Sequence, residues 1–241
     1  MSMIAKFVQV EPAELAKIQA DPTLTEGLFH EGPMIPPPFL EASKKLEERM
    51  RTAGPQMFAA ALQNLDPRIR QRLEERLGAT AQSFAGGQGG ETLLKMMQER
   101  RARAVEATKM SQEKHATLSL DKEWHGVHYM LCGKVEPDDS LLSKAVLGGT
   151  ILGEDDEGFS GYGPARCFTP QEVADLSRAL SNPEVEDQAS VRFDASEMTR
   201  LEIYPGWRAT DREQVIDALR RLRDFYAEAA SKGRGIVTCL V

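Results

Sequence analysis

Seven residues, Gly235-Ile-Val-Thr-Cys-Leu-Val241, set the strongest constraint on the fold. The run is almost wholly apolar and too short for a stable helix, so it reads as a strand inside a sheet. Such a strand needs neighbours. Residues 3–10 (Met-Ile-Ala-Lys-Phe-Val-Gln-Val) alternate apolar with polar toward their end and suit an opening strand. Between these two strands the sequence is dominated by helical patterns. The expected fold is therefore α+β, a small mixed sheet that takes the terminal strands and is covered by helices.

The helices announce themselves through their ends. Pro12 sits where a first helical turn would begin, with Leu15 and Ile18 facing inward. Asp121 and Gly133 bracket a helix that places Trp124, Val127, His128 and Leu131 on one face. Ser140 to Leu147 is a short helix stopped by Gly148-Gly149. Thr169-Pro-Gln-Glu172 is a capping box with proline at the first helical position, and the helix should reach about Leu180. Thr210-Asp-Arg-Glu213 has the same spacing, followed by Val215, Ile216, Leu219, Leu222, Phe225 and Tyr226 at helical intervals and then Gly233. Residues 150–168 read as irregular.

A second texture occupies residues 31–115. Gly32-Pro-Met-Ile-Pro-Pro-Pro-Phe39 has too few backbone donors for regular structure. Beyond it, residues 40–50, a stretch from Asp66-Pro67 to Gly78, and residues 91–114 are helical in composition. Gly86-Gly-Gln-Gly-Gly90 reads as a linker. The expectation is an α+β domain made of 1–30 and 116–241, with 31–115 as a helical insertion. Arg100, Arg101 and Arg103 crowd one helix there, but Glu99 and Glu106 interrupt the run and no aromatics interleave it. It reads as a solvated face rather than a nucleic-acid arm.

Charge points the same way. The 241 residues carry a net charge of −7, which disfavours general contact with a phosphate backbone. No stretch has the length and apolarity of a membrane span, and the opening residues lack the pattern of a secretory signal. Cys132, Cys167 and Cys239 are far apart and odd in number, which suits a reducing compartment and a cytoplasmic location.

Chemistry concentrates on the helix near 121–132. His125, His128 and Cys132 are potential zinc ligands, yet an offset of seven separates the outer pair by roughly 10 Å along a helix. Only adjacent pairs could share an ion, no Cys-x-x-Cys or His-Glu-x-x-His accompanies them, and neither a metal site nor a cofactor is expected. The histidines could instead move protons, with Asp121, Glu123 or Glu202 as acidic partners. Gly161-Tyr-Gly-Pro-Ala-Arg166 offers close backbone approach and a guanidinium for a carboxylate or phosphate, but it matches no nucleotide-binding loop. Read without function, His128 is a core histidine, His125 is half-exposed beside Trp124, and Arg166 belongs to a turn.

Five blocks then form a pattern. They are Met1-Ser-Met-Ile4, Leu120-Asp-Lys-Glu-Trp-His-Gly-Val-His-Tyr-Met-Leu-Cys-Gly133, Leu142-Ser-Lys-Ala-Val-Leu-Gly148, Gly161-Tyr-Gly-Pro-Ala-Arg-Cys-Phe-Thr-Pro170 and Glu202-Ile-Tyr-Pro205. In this order they resemble the YfbM-like family of bacterial proteins. The resemblance implies an α+β fold and a bacterial cytosolic origin, and carries over no catalytic residue. The chain departs from the family's shorter members in the segment 31–115, and has Cys132 where a threonine is expected.

Two functional readings follow. The first is a non-catalytic protein-interaction module, of which an immunity-type protein is one version. The alternative is a small-molecule binder or enzyme with a pocket formed by Trp124, His125, His128, Tyr162, Arg166, Glu202 and Tyr204, polar and aromatic groups of the kind that line pockets.

Overall fold

The fold is described from a computed structural model covering residues 3–29, 89–112, 115–153 and 162–241. The chain divides into two compact units, Met1–Phe29 with Glu113–Val241, and His30–Gln112. In the first unit the order is β1 (Ala5–Val10), α1 (Pro12–Ala20), a 3-10 turn (Pro22–Leu24) and α2 (Thr25–Phe29). In the second unit the described element is one long helix, α3 (Gly89–Gln112). Gly89 and Gly90, expected in a linker, belong to its first turn. The helices expected at 40–50 and 66–78 and the proline-rich loop lie outside the described residues.

The first unit resumes with β2 (Thr117–Ser119), α4 (Trp124–Cys132), α5 (Leu141–Leu147), β3 (Thr150–Ile151) and β4 (Arg166–Phe168). It continues through α6 (Pro170–Leu180), α7 (Pro183–Arg192), α8 (Ala195–Arg200), a 3-10 turn (Ala209–Asp211), α9 (Arg212–Ser231) and β5 (Gly235–Leu240). The architecture is α+β. The five strands form one sheet in the order β2-β1-β5-β4-β3, with β5 at the centre. All four ladders are antiparallel, where a mixed sheet was expected. Each connection between paired strands brings the chain back at the end of the sheet it left, which sets neighbours antiparallel.

Alternation along the strands divides the core. Phe7, Phe168 and Ile236 point to one face and join a cluster with Val127, Met130, Leu176, Leu222 and Tyr226, from α4, α6 and α9. Ring contacts between Phe7 and Phe225 (6.4 Å) and between Phe168 and Tyr226 (6.1 Å) tie the sheet to α9. Val8, Cys167 and Val237 lie on the other face, in one cross-strand row. There α1 covers the sheet, with Gln19 donating to the Cys167 thiol at 3.7 Å.

The helix ends show which local signals act. Thr169 caps α6 with both bonds of its capping box, accepting from the Glu172 N–H while the Glu172 carboxylate accepts from the Thr169 N–H. Gly133 (φ 71°) ends α4 in the left-handed conformation. After α9, Gly233 and Arg234 donate back to the carbonyls of Ala230 and Ala229, the paired bonds of a Schellman turn. Two expectations are corrected. Asp121 does not cap α4, because it sits in a turn with φ 43° and accepts from the Ser119 hydroxyl, and the helix starts three residues later. Thr210 does not cap α9 either. A 3-10 turn occupies 209–211, Asp211 accepts from the Arg208 N–H at 2.9 Å, and the Thr210 hydroxyl bonds Asp211 instead.

Candidate functional site

A cleft of about 340 Å³ opens at one end of the sheet. Its floor comes from β4 and β5. Arg166 and Thr238 are direct cross-strand partners there, so their side chains project from the same face. One wall is the first turn of α4, with Trp124 and His125. The loop after α4 (Val135 to Pro137), the end of α5 (Val146, Leu147) and the turn Tyr162 to Pro164 close the rest. That turn is fixed to the sheet by the Tyr162 N–H, which donates to the Leu240 carbonyl at 2.8 Å.

The α4 wall is built as a clamp. The Tyr204 N–H donates to Nδ1 of His125 at 3.1 Å, and Nε2 of His125 lies 3.2 Å from the Val135 carbonyl. A backbone N–H only donates and a carbonyl only accepts, so the ring is the neutral tautomer with its proton on Nε2. Desolvation by burial lowers the His125 pKa, against the Val135 carbonyl and the Glu136 charge, which favour the proton. The Trp124 indole stacks on His125 (4.9 Å between centroids, 9° between planes) and lies 6.0 Å from the Tyr204 ring. Trp124 Nε1 donates to the Met3 carbonyl at 3.2 Å, and the Met3 N–H donates to the Tyr204 hydroxyl at 3.1 Å. One set of contacts thus ties the start of α4 to the segment before β1, the loop at 135 and the turn at 204.

His128 stands behind this wall. It is fully buried, and its Nε2 is 3.5 Å from the Cys132 thiol. Burial lowers its pKa, against the backbone carbonyls near Glu136 and Ser143, which favour the proton. No described carboxylate hydrogen-bonds either histidine. Of the acidic partners anticipated for them, Glu123 accepts from Gln214, Asp121 from Ser119, and Glu202 is exposed with φ 56°. Among the described residues no group of three or more His, Cys, Asp or Glu side chains is placed to hold a metal ion.

Arg166 brings the charge. It is half-buried, and its guanidinium makes one long hydrogen bond, from Nη1 to the Gly149 carbonyl at 3.4 Å. No carboxylate among the described residues pairs with it. Of the seven residues singled out in the sequence, Trp124, His125, Tyr162 and Arg166 line the cleft. Tyr204 supports it through Trp124 and His125, His128 is shut into the core, and Glu202 does not line it. Glu136, Thr238, Val146 and Leu147 were not singled out, and nothing in their spacing marks them, since long-range folding brings them there.

A second cleft, about 370 Å³, is lined by Asp121, Glu123, Trp207 and Gln214 among others. Glu123 Oε2 and Trp207 Nε1 are buried there with no hydrogen-bond partner among the described residues. Both atoms are closed off from the cleft surface, so the first cleft is the better candidate for a ligand.

Fold and cleft together define a class: an α+β protein with a central antiparallel sheet and an open pocket at the sheet's end. The chain belongs to the family described as a domain of unknown function, DUF1877, whose model matches residues 1–239. It is also similar to the crystal structure of YfbM from Escherichia coli, itself a protein of unknown function. The TM-score is 0.51 at 14% identity, over 99% of each chain. Likeness at that identity speaks for the fold alone. No curated protein matches the chain.

Proposed function

We propose that the chain is a binding protein whose site is the Trp124–Arg166 cleft, and that this cleft holds a small molecule through a carboxylate or phosphate group. The observation that carries this reading is the state of Arg166. A half-buried guanidinium with no described counter-charge is the group that a ligand's anion completes, through two parallel hydrogen bonds. The volume, about 340 Å³, is in the range of small-molecule sites. Binding is favoured over acid–base catalysis because both nitrogens of His125 are already engaged by backbone groups. The function is assigned to the unit formed by 1–30 and 116–241, with 31–115 read as an insertion; the two compact units support that division. A bacterial, cytoplasmic setting belongs to the same reading, supported by three free thiols.

Calorimetric titration with acetate, isovalerate and inorganic phosphate tests it on the wild type and on Arg166→Gln. Saturable binding of at least one anion is expected, weakened tenfold or more in the variant at unchanged melting temperature. Absence of binding for all three, or equal binding by the variant, overturns the reading.

A protein-interaction module is the second reading. It is favoured by Ile151, the cross-strand neighbour of Arg166, and by Tyr162, which are 51% and 43% exposed. The acidic chain would meet a basic partner at a raised rate, and neutralisation of a toxin, as by an immunity protein, is one form this could take. A stoichiometric complex that is lost on Ile151→Asp supports it. Complexes indifferent to that change count against it.

A further inference from the structure

The cleft holds a second charge that anion binding does not use. Glu136 lines the wall beside His125, and no described residue pairs with its carboxylate. Glu136 and Arg166 therefore face one cleft with opposite signs, yet they do not form an ion pair with each other. Two complementary charges held beyond ion-pair distance leave a gap that a molecule carrying both signs can span.

The rest of the lining narrows that molecule. Val135, Val146, Leu147 and Leu240 give the same cleft an apolar surface, and Trp124 adds an aromatic wall. That wall is held rigid by its stack with His125 and by the Met3 carbonyl. Thr238 stands beside Arg166 as its cross-strand partner, so its hydroxyl can reach the same carboxylate that the guanidinium binds. A dianion is a poor match, because its second negative charge would meet Glu136.

Resting on the reading of this cleft as an anion site anchored by Arg166, we infer that its ligand is a free α-amino acid with an apolar side chain. The carboxylate lies on Arg166 and Thr238, the ammonium group on Glu136, and the side chain against Val146, Leu147 and Trp124. Each end of the zwitterion replaces lost hydration with a charged hydrogen bond, and the apolar wall sets the preference for side chain. Selectivity follows from the same arrangement. An analogue lacking the amine gives up the charged hydrogen bond to Glu136, and one lacking the carboxylate leaves the half-buried Arg166 without a counter-charge.

The test uses the full chain and three probes in calorimetric titrations. These are L-leucine, 4-methylpentanoate (the same skeleton without the amine) and L-leucinamide (without the carboxylate). Leucine is expected to bind saturably, with each analogue at least tenfold weaker. Glu136→Gln should lower leucine affinity to that of 4-methylpentanoate in the wild type, and Arg166→Gln should remove binding of both acids. Glu136 is exposed, so its variant should melt with the wild type, and a coincident melting curve is the control. If 4-methylpentanoate binds as tightly as leucine, or Glu136→Gln leaves leucine affinity unchanged, the amino-acid assignment fails while the anion site stands. If neither acid binds the wild type, the amino-acid assignment falls together with the anion site on which it rests.

Discussion

Gly126 is the third residue of α4, within the helix, where alanine would ordinarily be the better residue. Replacing an interior helical glycine by alanine gains about 1 kcal/mol, because glycine loses more backbone freedom on folding. Here the new methyl carbon would lie 2.6 Å from Cζ2 of Trp207, 3.0 Å from Cη2 and 3.2 Å from Cε2. Carbon atoms pack at roughly 3.5–4.0 Å, so the indole would have to retreat by about 1 Å. Retreat is obstructed, since Trp207 is 9% exposed and its ring meets Phe193 edge-on at 6.4 Å. Overpacking of this kind costs about 1–3 kcal/mol, which outweighs the propensity gain and leaves Gly126→Ala destabilised by up to about 2 kcal/mol. Urea unfolding followed by far-ultraviolet circular dichroism measures the change. The control is the same substitution in a Trp207→Leu background, where the obstacle is gone and alanine should become neutral to stabilising. The reasoning is refuted if Gly126→Ala stabilises the wild type, or if its effect is the same in both backgrounds, because the coupling through Trp207 is the whole of the argument.

Two further outcomes follow from buried polar groups. The Tyr226 hydroxyl is fully buried and donates to the Ala145 carbonyl at 2.9 Å, joining α9 to α5. Tyr226→Phe should cost about 1–3 kcal/mol by leaving that carbonyl without its donor, and a melting temperature within error of the wild type would show the bond to be dispensable. Burial lowers the pKa of His125 and of His128 from the ordinary 6.5, so the unfolded chain takes up protons at a pH where the folded one does not. Stability is then full above pH 6.5 and falls as the pH drops below it toward the folded-state values. Ring-proton titration by NMR should give both midpoints below 6.5, and a midpoint above it for either ring contradicts the burial argument.

Much of this fold is legible because short-range chemistry decides it. The Thr169-Pro-Gln-Glu172 box forms both of its bonds, and Gly133 and Gly233 stop helices at the expected residues with positive φ. What escaped the sequence was decided by distant partners. β4 is three residues in a glycine-rich stretch that reads as irregular, and it is a strand because β5 offers it a ladder. Helices α7 and α8 were not anticipated at all. Local signals for them exist, since Asn182 caps the Glu184 N–H ahead of Pro183, and Asp194 accepts from the N–H groups of Ser196 and Glu197. Both helices are short and have few apolar residues, so periodicity is silent there. In the same way, the aromatic and basic members of the cleft stand out by residue type. Glu136 and Thr238 are ordinary residues that matter only for what faces them.

The position of β5 bears on how the molecule comes into being. The centre of the sheet is the last strand in chain order, and it pairs across its full length with the first, from Ala5–Leu240 to Val10–Gly235. During synthesis from the N-terminus, β1 and β4 emerge with their inner edges unsatisfied and wait for residues 235–240. Until these leave the ribosome, two open edges are exposed together, the kind of surface that recruits strands from other chains. Closure then joins residues more than two hundred positions apart, a contact that forms late and slowly. The sheet is therefore closed only when β5 joins it, and a chain halted in translation before residue 235 keeps both of those edges open.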